Sequence, residues 1–291
     1  MTMQDHPLPH QQQANLTDVP ETTLWTLHNR ATESKRPDGI INDPDAEKIF
    51  AAIDYPYRET FGAPSASHGL RSITFDKHLK AFLQQHPRAN VVNLGEGLET
   101  QRFRIGENNA RWYSVDLAET IQLREKFIAP DDQHQHIAYS ALDQRWLERV
   151  SGSTPTFITA QGLFMYFDES DVQTLLQAIH QHFDHYVLMF DTIPVWFSNK
   201  AMSAKGLRMS KRYVAPKMPW GIDRNNIKER LHSWLDSESK PTNEISDIGY
   251  PLFPRGIERF FSLAWRRIPA MGKRAPTIVK IEASNKKPAI G

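Results

Sequence analysis

Two glycines and an acid pose the first question. Gly95 and Gly97 follow the apolar run Val91–Leu94 in VVNLGEGLET, and Asp116 closes a second apolar run 19 residues past Gly97. Without side chains, the glycines let the backbone bend sharply and approach a ligand. An acid at that distance accepts hydrogen bonds from both hydroxyls of a ribose. A plain strand-to-helix turn accounts for the glycines alone, and Asp116 also suits a helix N-cap with Glu119 three residues on. Taken together, the glycine pair and the acid point to a ribose-bearing cofactor. The nicotinamide fingerprint needs a third glycine where this chain has Thr100, preceded by Glu99. A carboxylate there repels a pyrophosphate, whereas S-adenosylmethionine has no phosphate, and its sulfonium and ammonium groups are attracted to carboxylates.

Such residues need a scaffold that gathers strand ends. From Asn90 onward, short apolar runs at Val91–Leu94, Arg111–Leu117, His136–Ala141, Thr156–Gln161 and Tyr186–Asp191 alternate with segments of helical period, including Ala118–Phe127 and Asp168–Phe183. That alternation predicts βαβ units and a parallel sheet, with ligands collecting beyond the carboxyl ends of the strands. A plausible last strand is Thr277–Glu282. Before the sheet, residues 21–88 read as a helical cover, with Asp43-Pro44 opening a helix through Ile49 and Phe50. After it, residues 192–255 read as an insertion, followed by a helix whose apolar face holds Ile257, Phe260, Phe261, Ala264, Trp265 and Ile268.

Composition narrows the class. The 291 residues are 40% hydrophobic and 24% charged, ordinary values for one globular domain over 21–291 behind a mobile tail over 1–20. No apolar run reaches the ~20 residues of a spanning helix, and no signal-peptide pattern opens the chain. A soluble, unsecreted, cytoplasmic protein is expected, in keeping with the absence of cysteine. A net charge of +1 argues against nucleic acid as a partner, and the basic stretch Lys273–Lys287 reads as a solvated terminus.

VVNLGEGLETQRFR, followed by WYSVDLAETI, SALDQRW and TAQGLFMYF, resembles the leucine carboxyl methyltransferase family, in particular its bacterial branch of polyketide-type O-methyltransferases. RATESKRPDGIINDPDA (Arg30–Ala46) and MPWGI (Met218–Ile222) extend the likeness over roughly residues 22–235. The resemblance implies a Rossmann-like α/β fold with a mainly parallel seven-stranded sheet. It implies S-adenosylmethionine as donor and methylation of a carboxylate or hydroxyl oxygen. Carried over residue by residue, Gly95 and Gly97 line the methionine part, with Glu96 between them. Asp116, beside Leu117, takes the ribose, and Leu142 and Asp143 flank the adenine. Arg71 grips the donor's carboxylate with help from Lys35, for which Arg30 is a rival. Two positions depart from the family: Glu99 replaces an aspartate, and Gln161-Gly162 replaces Glu-Gly, so a neutral hydrogen bond stands where a charge usually attracts the donor's ammonium.

Tyr166 and Trp220 are the acceptor-pocket candidates. The catalytic residue is not legible, because no histidine sits in a recognised motif. His180, His182 and His185 do not make a metal site, since side chains two apart on a helix point about 200° apart, and they are expected at the surface. Two other readings stay open. One is a nicotinamide-dependent oxidoreductase on the same sheet. The other is a non-catalytic S-adenosylmethionine-binding homologue, motivated by Gln161. A small-molecule acceptor is the expected partner.

Overall fold

Runs that are apolar throughout become strands with both faces covered. The computed structural model describes residues 12–13, 18–236 and 244–284. In it, β1 (Asn90–Leu94) and β4 (Thr156–Ala160) bury every residue. The other strands are β2 (Arg111–Asp116), β3 (His134–Ala138), β5 (His185–Thr192), β6 (Glu244–Asp247) and β7 (Thr277–Ser284). They form one seven-stranded sheet in the order β6-β7-β5-β4-β1-β2-β3. β1 to β5 are mutually parallel, and β7 runs antiparallel to both β5 and β6.

The two-residue period of the strands sends alternate side chains to two cores. Val91, Trp112, Phe157 and Met189 meet Phe75, Leu79, Phe82 and Leu83 of a helix over Ser67–Gln85. Val92, Val115, Ile158 and Leu188 meet Val172, Leu175 and Ile179 of a second helix, Glu169–His182, and Leu231 and Trp234 of a third, Ile227–Leu235. A third core lies over the strand ends. There Leu24, Leu27 and Ala31 of α1 (Asp18–Ser34) pack with Ala46 and Ile49 of α2 (Pro44–Ala52) and with Leu207, Ala215 and Met218 of the insertion. The N-terminal cover and the insertion thus enclose the side of the sheet where ligands are expected.

Several boundaries move. The third strand is His134–Ala138 rather than His136–Ala141, because Tyr139, Ser140 and Ala141 turn away from the ladder. β6 was not read from the sequence: four residues on an edge carry too little apolar pattern. Residues 18–20, assigned to the mobile tail, open α1, and Gln12–Gln13 pairs with Ile53–Asp54. The remainder of that tail and the end of the basic stretch lie outside the described residues. His180 is buried against the Tyr186 hydroxyl (2.9 Å) rather than exposed. The helix expected near residue 257 spans Gly256–Arg267, yet Ile257 and Phe260 are 68% and 65% exposed. Period predicts the helix; it does not supply a surface to cover it. Among the described residues no helix is long and apolar enough to cross a membrane.

Candidate active site

The turn after β1 is fixed from both sides. Gly95 has φ +61, and a Cβ on it would lie 2.7 Å from Leu163 Cδ1; Gly97 has φ +56, and a Cβ there would lie 2.1 Å from Thr23 Oγ1. Both the left-handed conformation and the close approach demand glycine. Leu98 N–H donates to that Thr23 hydroxyl at 2.8 Å, so α1 is fastened directly to the turn. Asp116 Oδ2 accepts the Gly97 N–H at 2.7 Å and Oδ1 accepts the Leu117 N–H at 2.8 Å. Asp116 therefore ties the ends of β1 and β2 together and is not a helix cap. Each carboxylate oxygen keeps a lone pair free. Burial raises the pKa of this carboxyl, partly offset by the two backbone donors.

Around the turn opens a cleft of about 190 Å³. Val19, Thr22, Thr23, Thr26 and Arg30, one face of α1, form one wall, and strand-end residues Asn93, Ser140, Ala141, Thr159 and Gln161 form the other. Gln161 Oε1 is buried without a hydrogen-bond partner among the described residues, an acceptor held ready for a donor group. Arg71 comes from the helix over Ser67–Gln85, its Nη1 3.0 Å from Asp191 Oδ2, and its buried Nε also has no partner among the described residues. Glu96 faces the same cleft but is largely engaged, with Arg124 Nη2 at 3.1 Å and Asn93 Nδ2 at 2.8 Å.

Where a nicotinamide enzyme opens its helix start to a pyrophosphate, this chain has a buried ion network. Glu99 Oε1 lies 2.6 Å from Arg104 Nη1, and Oε2 lies 3.3 Å from Arg30 Nη1. Arg104 also pairs with Asp43 and Asp76 at 2.8 Å, and Thr100 Oγ1 donates to Asp43 at 2.6 Å. Burial disfavours ionising Glu99, but Arg104 and Arg30 outweigh it and hold the carboxyl well below its usual range. The network's three carboxylates outnumber its two guanidiniums, so a diphosphate is disfavoured at this point. The network also locks the cover to the turn, since Arg30 donates to the Leu98 carbonyl at 2.8 Å.

Of the residues read from sequence, Arg71, Gly95, Glu96, Gly97, Asp116, Leu117 and Gln161 converge on the cleft. Lys35 does not: it is exposed, with its ammonium 5.4 Å above the Phe50 ring, and Arg30 occupies the cleft instead. One face of α1 carries both the cleft residues and Arg30, while Lys35 falls beyond its last turn. Leu142 and Asp143 do not line the cleft, although their neighbours Ser140 and Ala141 do, and Asp143 is paired to Arg145. Trp220 is 2% exposed and packs on Phe164 and Phe190, so it is core rather than pocket wall. Thr22, Thr23 and Thr26 were missed; a run of threonines at helical spacing is a weak signal on its own.

A second chamber of about 290 Å³ adjoins the first and shares Thr22, Thr26, Arg71 and Gly162 with it. Its walls are mainly apolar and aromatic, with Trp25, Tyr166, Phe197, Tyr250 and Trp265 among them.

A family model described as leucine carboxyl methyltransferase matches residues 23–180. The chain belongs to the leucine carboxyl methyltransferase family. The tetracenomycin polyketide synthesis O-methyltransferase TcmP of Streptomyces glaucescens is 30% identical over 262 residues, 88% of this chain and 94% of that protein. The S-adenosyl-L-methionine-dependent methyltransferase dpfgK of Gibberella zeae is 27% identical over 187 residues, 58% of this chain and 62% of that protein. In fold, the chain resembles the plantazolicin methyltransferase BamL, crystallised with a triazolic desmethylPZN analogue and S-adenosylhomocysteine, at a TM-score of 0.51 and 15% identity. That likeness covers 92% of this chain and 100% of that one.

This leucine carboxyl methyltransferase family member is an S-adenosylmethionine-dependent methyltransferase, and the cleft fits that cofactor. The orphaned Gln161 Oε1 suits an ammonium, the unpartnered Arg71 Nε a carboxylate, and the Asp116 lone pairs two hydroxyls. The two glycines let Leu163 and Thr23 close on the turn, which keeps its backbone at the cleft wall. When bound, S-adenosylmethionine supplies an electrophilic methyl group on a sulfonium.

Proposed function

We propose that this enzyme methylates an ionised oxygen, a carboxylate or an acidic hydroxyl, on an apolar ring-bearing small molecule. The observation that carries this reading is the aromatic chamber joined to the donor cleft through Thr22, Thr26, Arg71 and Gly162. The O-methyltransferase of tetracenomycin polyketide synthesis, at 30% identity, supports the same acceptor class. The residues at the junction orient the acceptor and exclude water, and holding two reactants at near-attack distance supplies several kcal/mol of the barrier reduction. The chamber contributes little as a base. Burial pushes the Tyr166 phenol up to about 12. Asp191 is occupied by Arg71 and by the Gly162 N–H at 2.5 Å. An acceptor that arrives ionised needs neither.

Titration calorimetry with S-adenosylmethionine and S-adenosylhomocysteine, followed by mass analysis of a panel of aromatic hydroxy acids, tests the reading. Binding of both, with a methyl gain on an acid or acidic phenol, is expected; methylation confined to unactivated alcohols or amines would contradict it.

Two variants probe the donor cleft. Asp116→Ala is expected to weaken the donor by about 1–3 kcal/mol, the cost of losing a buried hydrogen-bonded pair. Ionised Asp116 is the better acceptor, and its pKa is raised. Wild-type affinity should therefore be complete well above that pKa and fall on acidification sooner than an ordinary aspartate predicts, while the alanine variant stays flat. A wild-type profile as flat as the variant's would remove Asp116 from the ribose site. Gln161→Glu restores the charge at the strand end and is expected to tighten the donor about fivefold, the usual gap between charged and neutral hydrogen bonds. Unchanged or weaker binding would mean that Gln161 Oε1 does not meet the ammonium.

A further inference from the structure

Among the polar side chains lining the aromatic chamber, the reaction so far leaves a histidine unused. His68, in the first turn of the helix over Ser67–Gln85, lines the chamber beside Arg71, and the Trp25 ring stands edge-on to it with centroids 5.1 Å apart. Its Nδ1 lies 2.6 Å from Asn29 Nδ2. Asn29 is 1% exposed, and its Oδ1 accepts the Ser65 N–H at 3.0 Å. That backbone donor fixes the amide: the oxygen faces Ser65, so the NH₂ faces His68 and donates to Nδ1. An imidazole that accepts at Nδ1 carries its proton on Nε2. Nε2 has no partner among the described residues. The charged groups facing the ring are Arg71 and Arg30, with Glu99 opposing them; with burial acting first, they keep the ring neutral far below its ordinary pKa.

We propose that His68 is an acceptor-binding residue whose Nε2–H donates a hydrogen bond to the anionic group of the acceptor, and that the Ser65–Asn29 relay sets this tautomer. His68 is then a selector for ionised acceptors and not a general base. Methyl transfer balances without it: an acceptor-oxygen lone pair forms the new C–O bond, the pair of the breaking S–C bond returns to sulfur, and no proton is released. A histidine acting as base needs the opposite tautomer, with a bare Nε2 toward the acceptor. The proposal rests on the chamber being the acceptor site.

Nitrogen-15 NMR of the imidazoles, with S-adenosylhomocysteine bound and His68→Gln identifying the signal, reads the tautomer directly. A protonated Nε2 and an unprotonated Nδ1 are expected, and the Nε2 resonance should shift when 2-naphthoate, used as the acceptor probe, is added. An Nδ1-protonated ring or an imidazolium would overturn the proposal. The affinity for 2-naphthoate, followed by tryptophan fluorescence, should fall about tenfold in His68→Phe and less than about threefold in His68→Gln, whose amide nitrogen reaches the Nε2 position. Asn29→Asp keeps the bond from Ser65 but turns the donor into an acceptor, drawing the ring proton to Nδ1. It should weaken 2-naphthoate as much as His68→Phe does, whereas a base would be strengthened by the new carboxylate. Equal affinity in all four proteins overturns the role of His68. No binding of 2-naphthoate to wild type overturns the chamber as acceptor site. S-adenosylhomocysteine titration of the same proteins isolates failure of the donor cleft.

Discussion

Replacing Arg104 by alanine is expected to cost about 3–5 kcal/mol of stability, the range for removing one partner of a buried ion pair. Its guanidinium is the counter-charge shared by Asp43, Asp76 and Glu99, at 2.6 to 2.8 Å, and none of these side chains is more than 10% exposed. Solvent screening therefore offers little relief. Without Arg104, Glu99 and Asp43 keep only Arg30, at 3.3 and 3.4 Å, and Asp76 loses the ion pair it makes among the described residues. Urea unfolding measures the loss. In the wild type, Glu99 has a depressed pKa, so its contribution is complete above the ordinary glutamate pKa and is lost as pH falls through the lower, folded value. The variant has shed that contribution already, so the gap between the two proteins should narrow on acidification. A loss below about 1 kcal/mol, typical of exposed pairs, would show that the network does not hold the cover to the turn.

Gly97→Ala is the second large effect, and it acts on binding as well as folding. The left-handed backbone costs an alanine about 1–2 kcal/mol. The Cβ also lands 2.1 Å from Thr23 Oγ1, so Thr23 must retreat, and the Leu98 N–H then loses its acceptor. Donor affinity is expected to fall by at least about thirtyfold, which corresponds to roughly 2 kcal/mol. Gly106→Ala serves as the control. Its φ is +83, but among the described residues nothing lies within 4 Å of a Cβ built on it. It should show the backbone cost in unfolding and leave calorimetric donor affinity unchanged. If the two variants lose donor affinity equally, strain alone accounts for the effect and the contact with Thr23 is irrelevant.

The sheet and the strand-end residues were legible because their causes are local. Five apolar runs with helical segments between them specify a parallel sheet, and glycines at Gly95 and Gly97 are required by the backbone itself. Arg71 and Gln161 were reachable through the family resemblance. The failures share a different cause. Whether Lys35 or Arg30 faces the cleft depends on how α1 rotates against the turn, which is set by Thr23, Leu98 and the Glu99 network, all distant in sequence. Trp220 was misplaced because its neighbours Phe164 and Phe190 come from other elements. His68 went unread altogether: its tautomer depends on Asn29 and Ser65, which only the packing of two helices brings together.

The wall that α1 contributes to the donor cleft has a kinetic consequence. Val19, Thr23, Thr26 and Arg30 are one continuous helix face over the cleft, and the Thr23–Leu98 and Arg30–Leu98 bonds fasten it down. If spent donor leaves past that face, the two bonds have to open first, and product release is then expected to slow when they are strengthened. A partial undocking of the first helix would then gate turnover, as lid motions do in many enzymes whose chemistry is fast. A variant that loosens the helix would trade affinity for speed.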